Sequence, residues 1–249
     1  MPTPAAATER TVRALLVAVE SRDLRAVAAA LAADCTWQNV PHRSVIGRDA
    51  VVALLAPVLS WSDRVEWEVL SESYGDGIAW VERADRFWIN GAEYVVRCNG
   101  VITVDVAAGH VTAVRDYADL GEWRRRLAPV LATMAERSPV DVVSRHLHAV
   151  DLSDQVAMVA DYALDAVLER GGDTYHGWGE IADYFSTVPK RLGHSRLTLS
   201  APEADGTAAA KVAWTIDATD GSSVRGNDHY VVQRGRITHQ RVTLLGNDF

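Results

Sequence analysis

The stretch WVERADRFWINGAEYVV, residues 80–96, decides how the first half of this chain folds. Two runs rich in aromatic and β-branched residues flank Asn90-Gly91, a dipeptide suited to the two positive-φ positions of a type I′ turn. The reading is a β-hairpin with strands over roughly 78–89 and 92–106. Its first arm carries Glu82, Arg83, Asp85 and Arg86 within five residues. Alternation along a strand sorts these charges. Arg83 and Asp85 share a face with Ala79, Val81 and Phe87, while Glu82 and Arg86 take the other. That other face holds Ile78, Trp80 and Trp88, so periodicity alone does not say which side is buried. Two readings stay open: an exposed cross-strand ion-pair cluster, or an acid–base group lining a pocket.

The neighbouring sequence supplies the rest of a sheet and the helices to cover it. Strands are expected near 64–73 and 110–118, the last containing VRDYAD with Arg115, Asp116 and Asp119. Upstream, Thr8 is a candidate N-cap for a helix presenting Val12, Leu15, Leu16 and Val19, and Asp23 caps a second helix. A short strand, CTWQNV (35–40), follows, then a third helix with Val51, Leu54, Leu55, Val58 and Leu59 on one side.

After Ser138-Pro139, a cap and N1 pair, the same order recurs: helices to about 148 and over 154–160, a strand at 165–171, a helix from Trp178, then four strands to about 245. Asp34 to Asp165, Gly47 to Gly177 and Gly91 to Gly221 are offset by 131, 130 and 130 residues, and Gly109 to Gly235 by 126. A constant offset with a shared element order points to a duplicated plan. Each copy is α+β, with helices packed on a curved antiparallel sheet that curls into a cone with a pocket at its open end.

Composition bounds the function. A net charge of −8 argues against a nucleic-acid or anionic-membrane partner. No apolar run approaches the ~20 residues that span a bilayer, and MPTPAAATER lacks the basic and apolar parts of a signal peptide. Two cysteines, Cys35 and Cys98, make no disulfide framework and fit a reducing, cytoplasmic setting. There is no CxxC, HExxH, P-loop or GxGxxG, so no metal or cofactor is expected. His146 and His148 lie two apart on a helix, on different faces, and do not make a metal pair. Cys98 reads as a core or surface thiol, Arg124 to Arg126 as a solvated helical face, and Trp61, Trp80, Trp88 and Trp123 as core or lid residues.

WQNVP (37–41), GRDAV (47–51), ERAD (82–85) and VRDYAD with Leu120 (114–120) together resemble the limonene-1,2-epoxide hydrolases, within the NTF2-like, SnoaL-like superfamily. The resemblance covers about residues 8–128. It implies a catalytic domain over 1–130 and, over 131–249, a SnoaL-like domain without the catalytic triad. It implies an Asp–Arg–Asp triad, carried onto Arg83, Asp85 and Asp116, and an Asn for the attacking water, carried onto Asn39. Where the family places a Tyr beside that water, this chain has Trp37. An indole only donates, whereas a phenol donates and accepts.

The expected activity is cofactor-free hydrolysis of an epoxide of a hydrophobic, terpenoid- or polyketide-like metabolite to a diol. The duplicated plan is similar to that of epoxide-opening cyclases of polyether biosynthesis, so attack by a hydroxyl of the substrate is the alternative. A SnoaL-type isomerase or cyclase, or a non-catalytic small-molecule binder, are the others. The two domains are expected to form an internal pseudo-dimer, with a homo-oligomer possible beyond it.

With these offsets, Arg83 falls on Ala213, Asp85 on Thr215, Asp116 on Val242, Trp37 on Leu168 and Asn39 on Arg170, so the second copy loses the triad. The bland reading of that copy is a structural partner. The sharper one is a second pocket among Trp214, Asp217, Asp228, His229, Tyr230 and His239, with Asp228 and His239 as an acid–base pair.

Overall fold

A computed structural model describes residues 3–246. The chain divides into two compact units, Met1–Leu131 and Ala132–Phe249. In the first, α1 (Pro4–Glu20), α2 (Leu24–Ala30) and β1 (Leu31–Asn39) lead through β2 (Val45–Ile46) to α3 (Arg48–Trp61). A meander follows: β3 (Arg64–Tyr74), β4 (Ile78–Ile89), β5 (Ala92–Asp105) and β6 (His110–Ala118). A helical stretch follows, with α4 (Leu120–Glu122), a π-helical turn at Trp123–Leu127 and α5 (Ala128–Ala135), within which the first unit ends. The sheet order is β2-β1-β6-β5-β4-β3.

The second unit repeats this order: α6 (Pro139–Asp151), α7 (Gln155–Ala160), β7 (Tyr162–Arg170), β8 (Asp173–His176) and α8 (Gly177–Leu192). Then come β9 (Arg196–Leu199), β10 (Glu203–Ala204), β11 (Ala209–Asp217), β12 (Ser223–Gln233) and β13 (Arg236–Leu244). Its order is β10-β11-β12-β13-β7-β8, with β9 also paired to β11. The tandem of two α+β units, each with helices packed on a sheet, is thus as expected.

Local chemistry accounts for the boundaries. Asn90 (φ 52°) and Gly91 (φ 75°) occupy the two left-handed positions of the β4–β5 turn. Asp23 accepts from the amides of Arg25 and Ala26, and Ser138 from that of Asp141, each an N-cap as read. Two expectations are corrected. α1 starts at Pro4 behind the cap Thr3, and Thr8 lies buried inside it, its hydroxyl accepting from Gly77 N. The sheets are not wholly antiparallel: β1 runs parallel to β6, and β7 to β13. The chain between β1 and β6 traverses the whole unit, and a connection that long permits either sense of pairing.

Helices α1 and α3 bury Val12, Leu15, Val19, Val51 and Leu59 over one face of the first sheet. On β4, Ala79, Val81, Arg83, Asp85 and Phe87 are buried and Glu82 is exposed. The charged pair therefore faces inward. In the second unit α6 and α8 bury Val142, Val143, Ile181 and Phe185. Among the described residues, no helix is long and apolar enough to cross a membrane.

Candidate functional site

The inward face of β4 settles the question raised by its charges. Arg83 is 1% exposed, Asp85 7% and Asp116 5%, so the exposed ion-pair reading is set aside. Arg83 Nε donates to Asp85 Oδ1 at 2.7 Å, and its Nη2 lies 3.3 Å from Asp85 Oδ2 and 2.9 Å from Asp116 Oδ1. One guanidinium thus bridges two carboxylates that arrive on strands separated by β5, since Asp85 pairs with Val96 and Asp116 with Gly100. Gly100 makes this possible: a Cβ there would stand 2.5 Å from Arg83 Nη1 and 3.0 Å from Asp116 Oδ1. The other side of Arg83 lies over the Trp67 ring, 4.3 Å from its centroid, and Trp67 packs on Trp37.

Two carboxylates and one guanidinium carry a net charge of −1 if all ionise, an expensive state without water. Burial is the larger influence on Asp85 and pushes its carboxyl up to about 6, against the downward pull of Arg83 and with the help of Asp116. For Arg83, burial alone would lower the pKa, but Asp116 and Asp85 outweigh it and raise it, so the cation persists. Asp85 therefore keeps a proton at mildly acidic pH, up to about 6.

Asp85 and Asp116 line a cavity of about 290 Å³. Asn39 lies beside Asp116 in the parallel β1–β6 pair, and both it and Trp37 reach the same cavity. All five residues singled out in the sequence are thus brought together, with Arg83 beneath the carboxylates and the other four on the cavity wall. The remaining wall is mostly apolar, including Leu55, Val58, Phe87, Val96 and Trp123. The arrangement holds two carboxyls bridged by one guanidinium, with the Asp85 carboxyl raised towards its protonated form, beside a side-chain amide in a largely apolar chamber.

Sequence reasoning undervalued some residues here. Cys98 lines the cavity and its thiol donates to Asp116 Oδ1 at 3.4 Å, while burial pushes that thiol's pKa up. The signal was present, since Cys98 alternates inward with Val96 and Gly100 on β5. Arg124, read as solvated, reaches the cavity rim, where its Nη2 donates to His42 Nε2 at 2.9 Å. Its place at the rim follows from the π-helical turn that starts at Trp123, which no pattern in the sequence announces. Among the described residues, no three His, Cys, Asp or Glu side chains group so as to hold a metal ion.

A family model for the limonene-1,2-epoxide hydrolase catalytic domain matches residues 6–127, and one for the SnoaL-like domain matches 143–240. The first unit carries a limonene-1,2-epoxide hydrolase domain and the second a SnoaL-like domain. Among solved structures, the chain is similar to an LEH-like epoxide hydrolase of M. tuberculosis. That match has 25% identity over 54% of this chain and 100% of the other, with a TM-score of 0.43. It is also similar to Bal32a from a soil-derived mobile gene cassette, with 18% identity over 49% of this chain and 98% of the other, and a TM-score of 0.43. The triad geometry described above lies wholly within the limonene-1,2-epoxide hydrolase domain.

The SnoaL-like domain departs from two expectations. The offset of 130 set Ala213 and Thr215 opposite Arg83 and Asp85, but Ala213 is exposed. Sheet register sets Trp214 and Ile216 there instead. Arg83 pairs with Cys98 two places from Gly100, the partner of Asp116; Trp214 pairs with Gly226 two places from Asp228, the partner of Val242. The β11–β12 loop is longer than the Asn90-Gly91 turn, so aligning the turn glycines slips the strand by one, which inverts its faces. Asp228 and His239 are not a pair. His239 Nε2 lies 3.4 Å from Glu169 Oε1, whereas Asp228 Oδ1 accepts from Trp214 Nε1 at 2.8 Å. His229 pairs with Asp205, and Asp217 accepts from Ser223. His146 is buried with Nδ1 2.8 Å from Met158 O, and His148 is exposed.

Proposed function

We propose that this chain opens an epoxide of a hydrophobic, terpenoid- or polyketide-like metabolite to a diol, without a metal or covalent intermediate. The observation that carries this reading is the buried Asp85–Arg83–Asp116 bridge facing an apolar cavity of about 290 Å³. Asp116 takes a proton from a water held beside it by Asn39. The water oxygen bonds to one epoxide carbon, the ring C–O bond breaks, and its electron pair takes the proton of Asp85. Asp116 then holds the water's proton and Asp85 is charged. Passage of one proton between them, through solvent, restores the starting state. Arg83 stays protonated throughout and favours whichever carboxylate is charged.

Trp37 gives the nucleophile no acceptor, so its orientation rests on Asn39 and Asp116. Turnover of an epoxide panel in ¹⁸O-water tests the reading. A diol carrying one ¹⁸O is expected; an unlabelled cyclic ether replaces water by a hydroxyl of the substrate. In Asp116→Asn, kcat/KM should fall by roughly 10²–10⁴-fold while product affinity is retained. Undiminished turnover in Asp85→Asn and Asp116→Asn overturns the assignment.

A further inference from the structure

The SnoaL-like domain has lost the triad, yet it has not lost its carboxylate. In the hydrolase domain, the strand pair β5–β6 sets Gly100 opposite Asp116. In the other, β12–β13 sets Asp228 opposite Val242. The positions match through the parallel pairs, where Asn39 adjoins Asp116 and Arg170 adjoins Val242. The acid therefore stands where the glycine stood and a valine where the acid stood, so the carboxylate returns to the corresponding cavity wall from the neighbouring strand. The bulky partner has changed with it. Trp214 stands where Arg83 stood, and Gly226 gives it room, because a Cβ there would lie 2.1 Å from the indole ring.

This second wall is built for a carboxylate. Besides Trp214 Nε1 on Oδ1, Asp228 Oδ2 accepts from Gln240 Nε2 at 2.8 Å and Tyr230 OH at 3.0 Å. Gln240 is itself held by the hydroxyl of Tyr162. Asp228 lines a cavity of about 80 Å³, several times what one water needs. The guanidinium of Arg170 lines the same cavity and acts on Asp228 by its charge. The rest of the wall is mostly apolar, with Phe185, Leu199, Ile216 and Val242 on it.

We propose that the second unit holds a separate binding site, centred on Asp228 and Arg170, for a neutral apolar molecule bearing a hydroxyl group. One acid and one guanidinium cancel, so the chamber asks for no net charge on its ligand. A carboxylate oxygen has two lone-pair directions. Trp214 takes one on Oδ1, and the second receives the ligand's hydroxyl proton. The apolar walls take part of a compact carbon skeleton such as a six-membered ring, the rest of which reaches the cavity's open mouth. This site stands independently of the epoxide reading.

The test uses the full chain and two probes of one size, cyclohexanol and cyclohexanone, of which only the first can donate. The reporter is the indole N–H signal of Trp214 in ¹H–¹⁵N spectra, assigned by its loss in Trp214→Phe. Cyclohexanol is expected to move that signal saturably and to bind about tenfold more tightly than cyclohexanone. Asp228→Asn should remove that preference, and Val242→Phe, which fills the cavity, should abolish both shifts with the fold retained by circular dichroism. Equal affinity for the two probes in the unmodified chain overturns the proposal. So do shifts confined to Trp37, Trp67 and Trp123, which belong to the other cavity. Asp85→Asn abolishing turnover while the Trp214 titration persists separates this site from the first.

Discussion

Replacing Asp85 with Asn removes a single proton-binding group, and the size of its effect follows from its burial. Desolvation raises the Asp85 carboxyl from 3.8 to about 6, even beside Arg83. The folded chain thus holds this proton more tightly than the unfolded chain. The stability it contributes is fully present below about pH 4 and is lost as pH rises through about 6. A shift of roughly two units corresponds to about 3 kcal/mol, a large share of the 5–15 kcal/mol typical of a whole domain. The Asp85→Asn chain has no such proton to lose. Between pH 4 and pH 7, the stability difference between the two proteins should therefore move by about 2 kcal/mol in favour of the variant, most of that total. Guanidinium unfolding at half-unit pH intervals, followed by tryptophan fluorescence, measures this, because six of the eight tryptophans precede residue 131. Titrations common to both proteins cancel in the difference. A flat difference, or one that turns against the variant as pH rises, refutes the claim that burial outweighs Arg83. The same proton limits turnover: with Asp85 as the acid, kcat/KM should fall about tenfold per pH unit well above 6.

Gly100→Ala places a Cβ against Arg83 Nη1 and Asp116, so it should cost about 1–3 kcal/mol and lower turnover more than Km-type binding terms, read by unfolding midpoints and kinetics; a variant of unchanged activity would show that the bridge tolerates movement. The thiol of Cys98 is buried and its pKa raised by that burial, so a disulfide reagent should modify it only as guanidinium unfolds the chain, despite its place on the cavity wall. Rapid native-state labelling of Cys98 would contradict this. Burial lowers His146 to about 4, so its ring should stay neutral in ¹⁵N spectra down to about that pH. Its stabilising share is present above the unfolded value near 6.5 and is lost as pH falls through about 4. A ring titrating near 6.5 in the folded chain would refute the assignment.

The sequence by itself determined the hairpin around Asn90-Gly91, the α+β duplication and the grouping of Arg83 with Asp85. These are local matters of turn chemistry and strand alternation, and neighbours in the chain suffice to state them. It also named Asp116, Asn39 and Trp37 through motifs whose order along the chain survives folding. The tertiary structure decided what those residues are worth. Whether the Arg83 face is wet or dry depends on helices α1 and α3, contributed by residues remote from β4, and the proton affinity of Asp85 depends on that dryness. Strand register across the second sheet depends on loop length, which glycine landmarks misreport, so only pairing geometry put Trp214 in the place of Arg83 and Asp228 opposite Val242. A side chain's direction is written in its own strand; its charge state and its partners are set by distant segments that fold against it.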